Sequence, residues 1–249
     1  MSYKLNNKLT YTVWVWLHEL KSFLKGSGDK GIENAIGGNF ECFGKVMTDL
    51  LIDRGLTSDS FLIDVGCGSG RLTKQIDKFL INGDYLGIDI IPRLVKHASQ
   101  QTANPNFEFE VSSGTSIPAD DDSADMVCFF SVFTHILHEQ TYRYLLESKR
   151  VLKKQGKIVF SFLEFGIPEH WPVFENNVNN AGQSFKHLDM FISRDAIVCW
   201  AEKLDLEVEG IWDGDKPHIP LSSPVVTDEG TKMEETGWLG QSVCVLKKP

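Results

Sequence analysis

The chain has few of the residues that a disulfide framework, a zinc site or a nucleic-acid surface requires. Its 249 residues include five cysteines, an odd number with no C-x-x-C pair. Lysine and arginine total 25 against 34 aspartates and glutamates, for a formal net charge of -9. Phosphate recognition needs clustered basic residues, so nucleic acid is not expected as the main partner. The cysteine usage predicts a reduced, cytoplasmic chain without disulfides or zinc.

Long apolar runs are also missing. The run from Leu9 to Leu17 is too short to span a bilayer and leads into no small-residue cleavage site, so we interpret it as the start of an N-terminal helix. A membrane-surface helix is the alternative. Asp120-Asp121-Asp122 has no accompanying His or spaced Asp, which favours a solvated turn over a metal site. We therefore expect neither a membrane segment nor a bound metal.

The stretch from Phe61 to Arg71 joins a short apolar run to a glycine-rich turn. Residues 61–65 are apolar except for Asp64, as in a strand buried on both faces of a parallel sheet. Three glycines follow, and apolar residues then recur at helical spacing, at Leu72, Ile76, Phe79 and Leu80. This order predicts a strand, a turn and a helix, with the free N–H groups of the helix pointing at the carboxyl end of the strand, where a ligand would bind.

Glycine spacing separates two classes of ligand. A dinucleotide fingerprint reads G-x-G-x-x-G and directs its helix at a pyrophosphate. Here the third glycine, Gly70, comes one place early, and Arg71 stands where that motif has glycine. Downstream, residues 85–89 are predicted to form a second strand ending in Asp89, whose carboxylate can accept hydrogen bonds from ribose hydroxyls. Asp89 supports an adenosine-containing ligand without saying which one.

The pattern D-x-G-x-G-x-G resembles the first motif of class I S-adenosylmethionine-dependent methyltransferases. The resemblance implies S-adenosylmethionine as the cofactor, with the loop wrapping its methionine part. It implies cofactor contacts from Asp64, Gly66, Cys67, Gly68, Gly70, Arg71, Asp89 and Ile90. It also aligns Ser113, Gly114 and Thr115 with the loop that contacts adenine, where Ser113 replaces a common Asp.

The segment Ser131-Val132-Phe133-Thr134-His135-Ile136 follows the predicted fourth strand. It closely resembles the S-V-F-T-H-L element of a group of small-molecule methyltransferases. Because the carboxyl end of this strand is expected beside that of the first strand, Ser131 to His135 should border the transferable methyl group, with Ser131 and Val132 among the cofactor contacts. The N/D-P-P-Y cluster of DNA and protein amide methyltransferases is absent from the sequence. His135 is the first candidate for a general base, and its alternative role is to cap or pack the next helix. Glu164, His170 and His187 are further candidates, either as bases or as pocket lining and surface.

The resemblance implies one α/β domain over residues 1–249, with a Rossmann-like seven-stranded, mostly parallel sheet, helices on both faces and an antiparallel last strand. Residues 1–58 are expected to form an N-terminal helical lid, and residues 59–163 the cofactor-binding core. Two irregular segments, 164–192 and 213–240, follow strands that flank the mouth of the cofactor site. Because long loops in compact domains tend to be functional, we expect them to form the acceptor pocket.

These features predict a methyltransferase that acts on an oxygen or nitrogen of a small molecule, such as a sugar or a secondary metabolite. A catalytically silent S-adenosylmethionine-binding protein would share the same core. An NAD-dependent oxidoreductase would share Asp89 but would need its third glycine one place later. The sequence leaves the acceptor, the methylated atom and the oligomeric state open.

Overall fold

The computed structural model describes residues 38–180 and 189–249. Its strands are β1 (Phe61–Val65), β2 (Asp84–Asp89), β3 (Phe107–Val111), β4 (Ala124–Phe129), β5 (Leu152–Phe162), β6 (Glu207–Trp212), β7 (Ile219–Pro220), β8 (Val225–Val226), β9 (Lys232–Met233), β10 (Thr236–Gly237) and β11 (Ser242–Lys247). Its helices are α1 (Phe40–Asp53), α2 (Arg71–Ile76), α3 (Pro92–Ser99), α4 (His138–Val151), α5 (Trp171–Asn179) and α6 (Arg194–Lys203), and a 3-10 turn spans Pro168–His170.

Seven of the strands form one sheet in the order β3-β2-β1-β4-β5-β11-β6. Strands β1 to β5 are parallel, whereas β11 runs antiparallel to both β5 and β6. The predicted fold class is therefore confirmed, including the antiparallel last strand. Asp64 of β1 lies opposite Gly87 of β2 and Cys128 of β4, so the carboxyl ends of these three strands meet at one edge.

Each face of the sheet has its own hydrophobic core because neighbouring residues of a strand point to opposite sides. On one face, Ile63 packs in a cluster that includes Leu145 of α4 and Ile197 of α6. On the other, Leu62 packs in a cluster that includes Leu50 of α1 and helix α2. In the described part of the chain, each helix falls short of the length and apolar character that a bilayer crossing requires.

Strand β5 begins earlier than the sequence indicates. The sequence of residues 153–157, with its lysines and glycine, predicts a turn before a strand that starts at Ile158, but the chain is already extended at Leu152. Gln155 adopts a left-handed φ of 67°, and its N–H donates to the carbonyl of Lys248, 2.9 Å away. Pairing with the end of the chain thus extends β5, a contact that local sequence does not encode. Helical spacing of the apolar residues in 140–152 predicts that Leu146 faces inward, but in α4 its side chain is 50% exposed.

The segment after β6 folds into two small antiparallel sheets, β7 with β10 and β8 with β9. Ile219, Val225 and Met233 from these strands are buried in the same cluster as helix α1. Strand β11 starts opposite the end of β5, so this segment leaves and re-enters the sheet at its carboxyl edge. Its role as part of the acceptor pocket stays a prediction. The predicted helix at Leu9–Leu17 lies outside the described residues, and the lid over residues 1–58 stays a prediction.

Candidate cofactor and acceptor site

The glycine turn lies between β1 and α2 at the carboxyl edge of the sheet. Gly66, Gly68 and Gly70 have φ values of 82°, 55° and 89°, a region that favours glycine. The N–H groups of Gly66 and Cys67 both donate to the carbonyl of Ile88, at 2.7 and 3.0 Å. The turn is therefore fixed to the end of β2, and its backbone forms one wall of the site.

Close packing on both sides explains why the turn needs residues without a Cβ. A Cβ built on Gly66 would lie 2.3 Å from Cγ2 of Val132, and one on Gly70 would lie 2.8 Å from Cα of Ala98 in α3. The structure thus brings the glycine turn against the segment that follows β4. Gly66 and Val132, which the sequence assigns to the cofactor and the methyl group respectively, are direct neighbours.

Asp89 ends β2 directly beside the glycine turn. Its Oδ2 accepts a hydrogen bond from Gly68 N at 3.1 Å, and its Oδ1 accepts one from Ile91 N at 2.9 Å. Burial, with the side chain only 7% exposed, raises the pKa of this carboxyl to about 6. A carboxylate offers about four acceptor positions, so these two bonds leave capacity for ligand hydroxyls. Ile90, the next residue, is half-buried.

Asp64 lies beneath the glycine turn, in the layer between the sheet and helices α1 and α2. Its carboxyl accepts a hydrogen bond from the Tyr85 hydroxyl at 2.7 Å and one from Cys128 Sγ at 3.6 Å. Burial raises the pKa of Asp64 to about 6. The same layer holds Cys67, whose thiol is buried. These contacts support the turn from below, and a direct contact of Asp64 or Cys67 with the cofactor stays a prediction.

Arg71, the first residue of α2, connects the glycine turn to the start of α1. Its Nη2 donates to the carbonyl of Gly38 at 2.7 Å, and its guanidinium lies 6.0 Å from the centre of the Phe43 ring. Asn39, beside Gly38, donates its N–H to Oδ2 of Asp228 in the segment after β6, at 2.6 Å. Arg71 therefore fixes the entry of α1 over the turn.

Residues 113–115 form an exposed loop after β3. The carbonyl of Gly114 accepts hydrogen bonds from the Tyr144 hydroxyl and from Ser112 Oγ, both at 2.9 Å. Ser113 and Gly114 are exposed and Thr115 is half-buried. The loop follows the strand next to β2, so it lies on the Asp89 side of the site, where the adenine contact is predicted.

The segment after β4 begins with a left-handed residue, Ser131, at φ 58°. Its N–H donates to Ser161 Oγ at 2.8 Å, and Ser161 donates in turn to Oε1 of Gln241 at 2.7 Å. Ser161 and Gln241 thus support the predicted methyl position from β5 and from the start of β11. The sequence analysis missed both, because their only signal is polarity within otherwise apolar strand ends.

His135 is half-buried at the far end of this segment. Its Nδ1 lies 3.9 Å from Oδ1 of Asp189, a carboxylate whose side chain is 10% exposed. Met190 N donates to the carbonyl of Thr134 at 2.7 Å, so the chain around Asp189 is attached to the chain around His135. The arrangement gives His135 a carboxylate neighbour that the sequence analysis did not identify.

Comparison with known proteins gives a family match over the middle of the chain. Residues 63–160 match the family model described as a methyltransferase domain. Over this segment the chain is similar to a methyltransferase domain. The segment contains the glycine turn, Asp89 and His135, and the match supports S-adenosylmethionine as the cofactor.

The individual proteins to which the chain is similar have low sequence identity with it. The chain is 26% identical over 102 residues to the phthiotriol/phenolphthiotriol dimycocerosates methyltransferase of Mycobacterium leprae, covering 41% of this chain and 37% of that protein. Two other curated relatives, a putative methyltransferase of Invertebrate iridescent virus 6 and an uncharacterized methyltransferase-like protein of Schizosaccharomyces pombe, are matched over only 31% and 42% of their own length.

Solved structures share the fold. A methyltransferase from Methanosarcina mazei is similar with a TM-score of 0.57 and 17% identity, covering 80% of this chain and 96% of that one. The magnesium protoporphyrin IX methyltransferase of Synechocystis, solved with bound S-adenosylhomocysteine, has a TM-score of 0.57 and 11% identity, covering 85% and 84%. At these identities the likeness shows the fold alone.

The residues of the methyltransferase site fit S-adenosylmethionine. The glycine turn leaves its backbone without side chains at Gly66, Gly68 and Gly70, and the positive φ values of these residues form a tight loop at the end of β1. Asp89 presents a buried carboxylate acceptor at the position expected for ribose hydroxyls. Gly66, Gly68, Gly70 and Asp89 would hold the cofactor, and bound S-adenosylmethionine supplies an electrophilic methyl group.

Two of the further base candidates are held in a polar network instead. Glu164 accepts two hydrogen bonds from Arg194, at 2.8 and 2.7 Å, and Arg194 also pairs with Asp213. His170 is buried, with Nε2 3.1 Å from the carbonyl of Gly240. These contacts connect the two predicted acceptor segments to each other. His187, the remaining candidate, lies outside the described residues.

Proposed function

We propose that the chain transfers a methyl group from S-adenosylmethionine to an oxygen or nitrogen atom of a small molecule. The observation that carries the proposal is the packing of Gly66 on Val132. This contact brings the cofactor-binding turn against the segment that leads to His135. Methyl transfer needs alignment of the two reactants and exclusion of water more than it needs a covalent intermediate with the protein. The glycine turn and the segment after β4 are the two walls between which the reactants would be aligned.

Within this proposal His135 accepts the proton of the acceptor at Nε2. The carboxylate of Asp189, with Oδ1 3.9 Å from Nδ1, stabilises the positive charge of the resulting imidazolium. Both side chains are partly shielded from solvent, at 35% and 10% exposed, so their interaction is stronger than that of a surface pair. Ser131 and Val132 border the reacting groups, and the segments around Glu164 and Asp213 line the acceptor side.

The closing strand weighs against a nicotinamide oxidoreductase. The antiparallel β11 between β5 and β6 is characteristic of the methyltransferase sheet and absent from dinucleotide folds. The silent cofactor-binding alternative shares every residue described so far. A small-molecule acceptor, a cytoplasmic location and the lack of a nucleic-acid partner stay predictions.

Formation of S-adenosylhomocysteine, measured with a broad panel of small hydroxyl and amine acceptors, tests the proposal. We expect acceptor-dependent formation above the background without acceptor, and a large loss in His135→Ala. Binding of S-adenosylmethionine without turnover on any acceptor would favour the silent alternative.

A further inference from the structure

We propose that four aromatic residues at the acceptor side, Phe165, Trp171, Phe174 and Phe191, bind a ring of the acceptor, and that this acceptor is neutral or cationic rather than anionic. We name these residues the aromatic wall. The inference rests on the proposed function and narrows it, because it favours an acceptor with an aromatic ring over a free sugar.

The rings of the aromatic wall contact each other, with Phe165 and Trp171 exposed, Phe174 half-buried and Phe191 buried behind them. Phe165 stacks on Phe191 with ring centres 4.7 Å apart, and Phe174 lies 5.3 Å from Phe165 and 5.1 Å from Trp171. Phe165 is 53% and Trp171 45% exposed, and none of the nine residues of α5 is buried. A contiguous exposed aromatic surface of this kind marks a binding site more often than a structural core.

The aromatic wall is attached to the methyl-transfer side of the domain. Phe191 forms a bridge with Leu163 at the end of β5, and its carbonyl lies 3.0 Å from His138 Nε2. Asp189, the neighbour of His135, comes two residues before Phe191. A ring held on the wall would therefore have its substituents on the side of the candidate base.

The charged side chains around the wall indicate which charge the acceptor can carry. In the part of this region that the structure describes, residues 164–180 and 189–193, there are three glutamates and one aspartate and no lysine or arginine. Glu175 accepts a hydrogen bond from Trp171 Nε1 at 2.9 Å, which places a carboxylate beside the exposed indole. The nearby Arg194 already pairs with Glu164 and Asp213. Aromatic faces with carboxylates attract cations and repel anions, so an anionic acceptor is disfavoured.

Three probes with the same bicyclic ring separate the effect of ring contact from the effect of charge: 2-naphthol, 2-naphthylmethylamine and 2-naphthoate. Their binding to the full chain is measured by calorimetry at saturating S-adenosylhomocysteine. We expect saturable binding of the alcohol and the amine, and at least about tenfold weaker binding of the carboxylate. Trp171→Ala and Phe165→Ala should each weaken binding of the amine about tenfold or more, whereas Ile81→Ala, an apolar residue 71% exposed at the other end of the domain, should not.

Equal affinity for all three probes, no probe binding, or unchanged affinity in both wall variants would overturn the inference. S-adenosylhomocysteine binding is measured separately in every variant. If the wild-type chain binds S-adenosylhomocysteine but the wall fails these tests, only the acceptor class is wrong. If the wild-type chain binds no S-adenosylhomocysteine, the proposed function itself fails.

Discussion

The contact between Gly66 and Val132 joins the two halves of the site, so substitutions there test the arrangement. In Gly66→Ala the new Cβ would lie 2.3 Å from Cγ2 of Val132. Truncation by Val132→Ala removes that atom and leaves the Val132 Cβ at 3.7 Å, an ordinary contact distance. The double variant therefore separates the steric clash from the backbone cost of an alanine at φ 82°.

The expected magnitudes differ enough to measure. An alanine at this φ costs about 1–2 kcal/mol of unfolding free energy, and a forced overpacking adds about 1–3 kcal/mol, so Gly66→Ala should lose roughly 2–5 kcal/mol. Val132→Ala removes two half-buried methyl groups and should lose about 1 kcal/mol. Because the clash is absent in the double variant, its loss should fall short of the sum of the single losses by about 1–3 kcal/mol.

Urea unfolding of the four proteins in the double-mutant cycle gives the coupling free energy. Gly166→Ala is the control, because its nearest neighbour would be 4.0 Å from the new Cβ and its change should stay within about 0.5 kcal/mol. S-adenosylhomocysteine calorimetry should show weaker binding in Gly66→Ala, partly restored in the double variant. Single losses that add within about 0.5 kcal/mol would refute the contact.

Three further substitutions test charged groups of the site. Burial raises the pKa of Asp64 to about 6, so between about pH 4 and 6 the folded protein holds a proton that the unfolded chain has lost. The unfolding free energy therefore falls as the pH rises through this range, by up to about 1.4 kcal/mol per pH unit. Asp64→Asn should make this fall shallower in urea unfolding measured at several pH values, and identical slopes would contradict the assignment. Arg194→Ala leaves the buried Glu164 carboxylate without its ion-pair partner and should cost roughly 2–4 kcal/mol by urea unfolding, whereas Lys216→Ala, with a side chain 69% exposed, should cost clearly less; equal losses would argue against the network. His135→Ala should keep cofactor affinity within about twofold and lower turnover about a hundredfold or more, and a loss below about tenfold would remove His135 as the essential base.

The elements that sequence predicts well are those with local signals. The apolar run at 61–65 and the glycines after it define a strand and a turn without reference to the rest of the chain. The second strand ends at Asp89 in the structure, where its carboxylate was expected. Helix α6 begins after Ser193, whose side chain accepts a hydrogen bond from Ala196 N as an N-cap. Short-range rules suffice for these features.

Contacts between distant segments were beyond the same rules. His135 and Asp189 are separated by more than fifty residues, and the hydrogen bond from Met190 N to the carbonyl of Thr134 is one of the contacts that bring them together. The sequence offers Glu164 as a candidate general base, but in the fold its carboxylate accepts two hydrogen bonds from Arg194. Hydrophobic periodicity cannot report such pairings, because it records which residues are buried and not which partners they meet.

A single titration tests the central claim, that bare backbone at Gly66 and the Asp89 carboxylate hold an adenosyl ligand. S-adenosylhomocysteine is titrated into the wild-type chain and into Asp89→Asn, with folding checked by thermal denaturation. We expect saturable one-site binding to the wild type and at least about tenfold weaker binding to Asp89→Asn, since the charged acceptor is lost. No heat and no thermal shift with the folded wild-type chain would contradict the account.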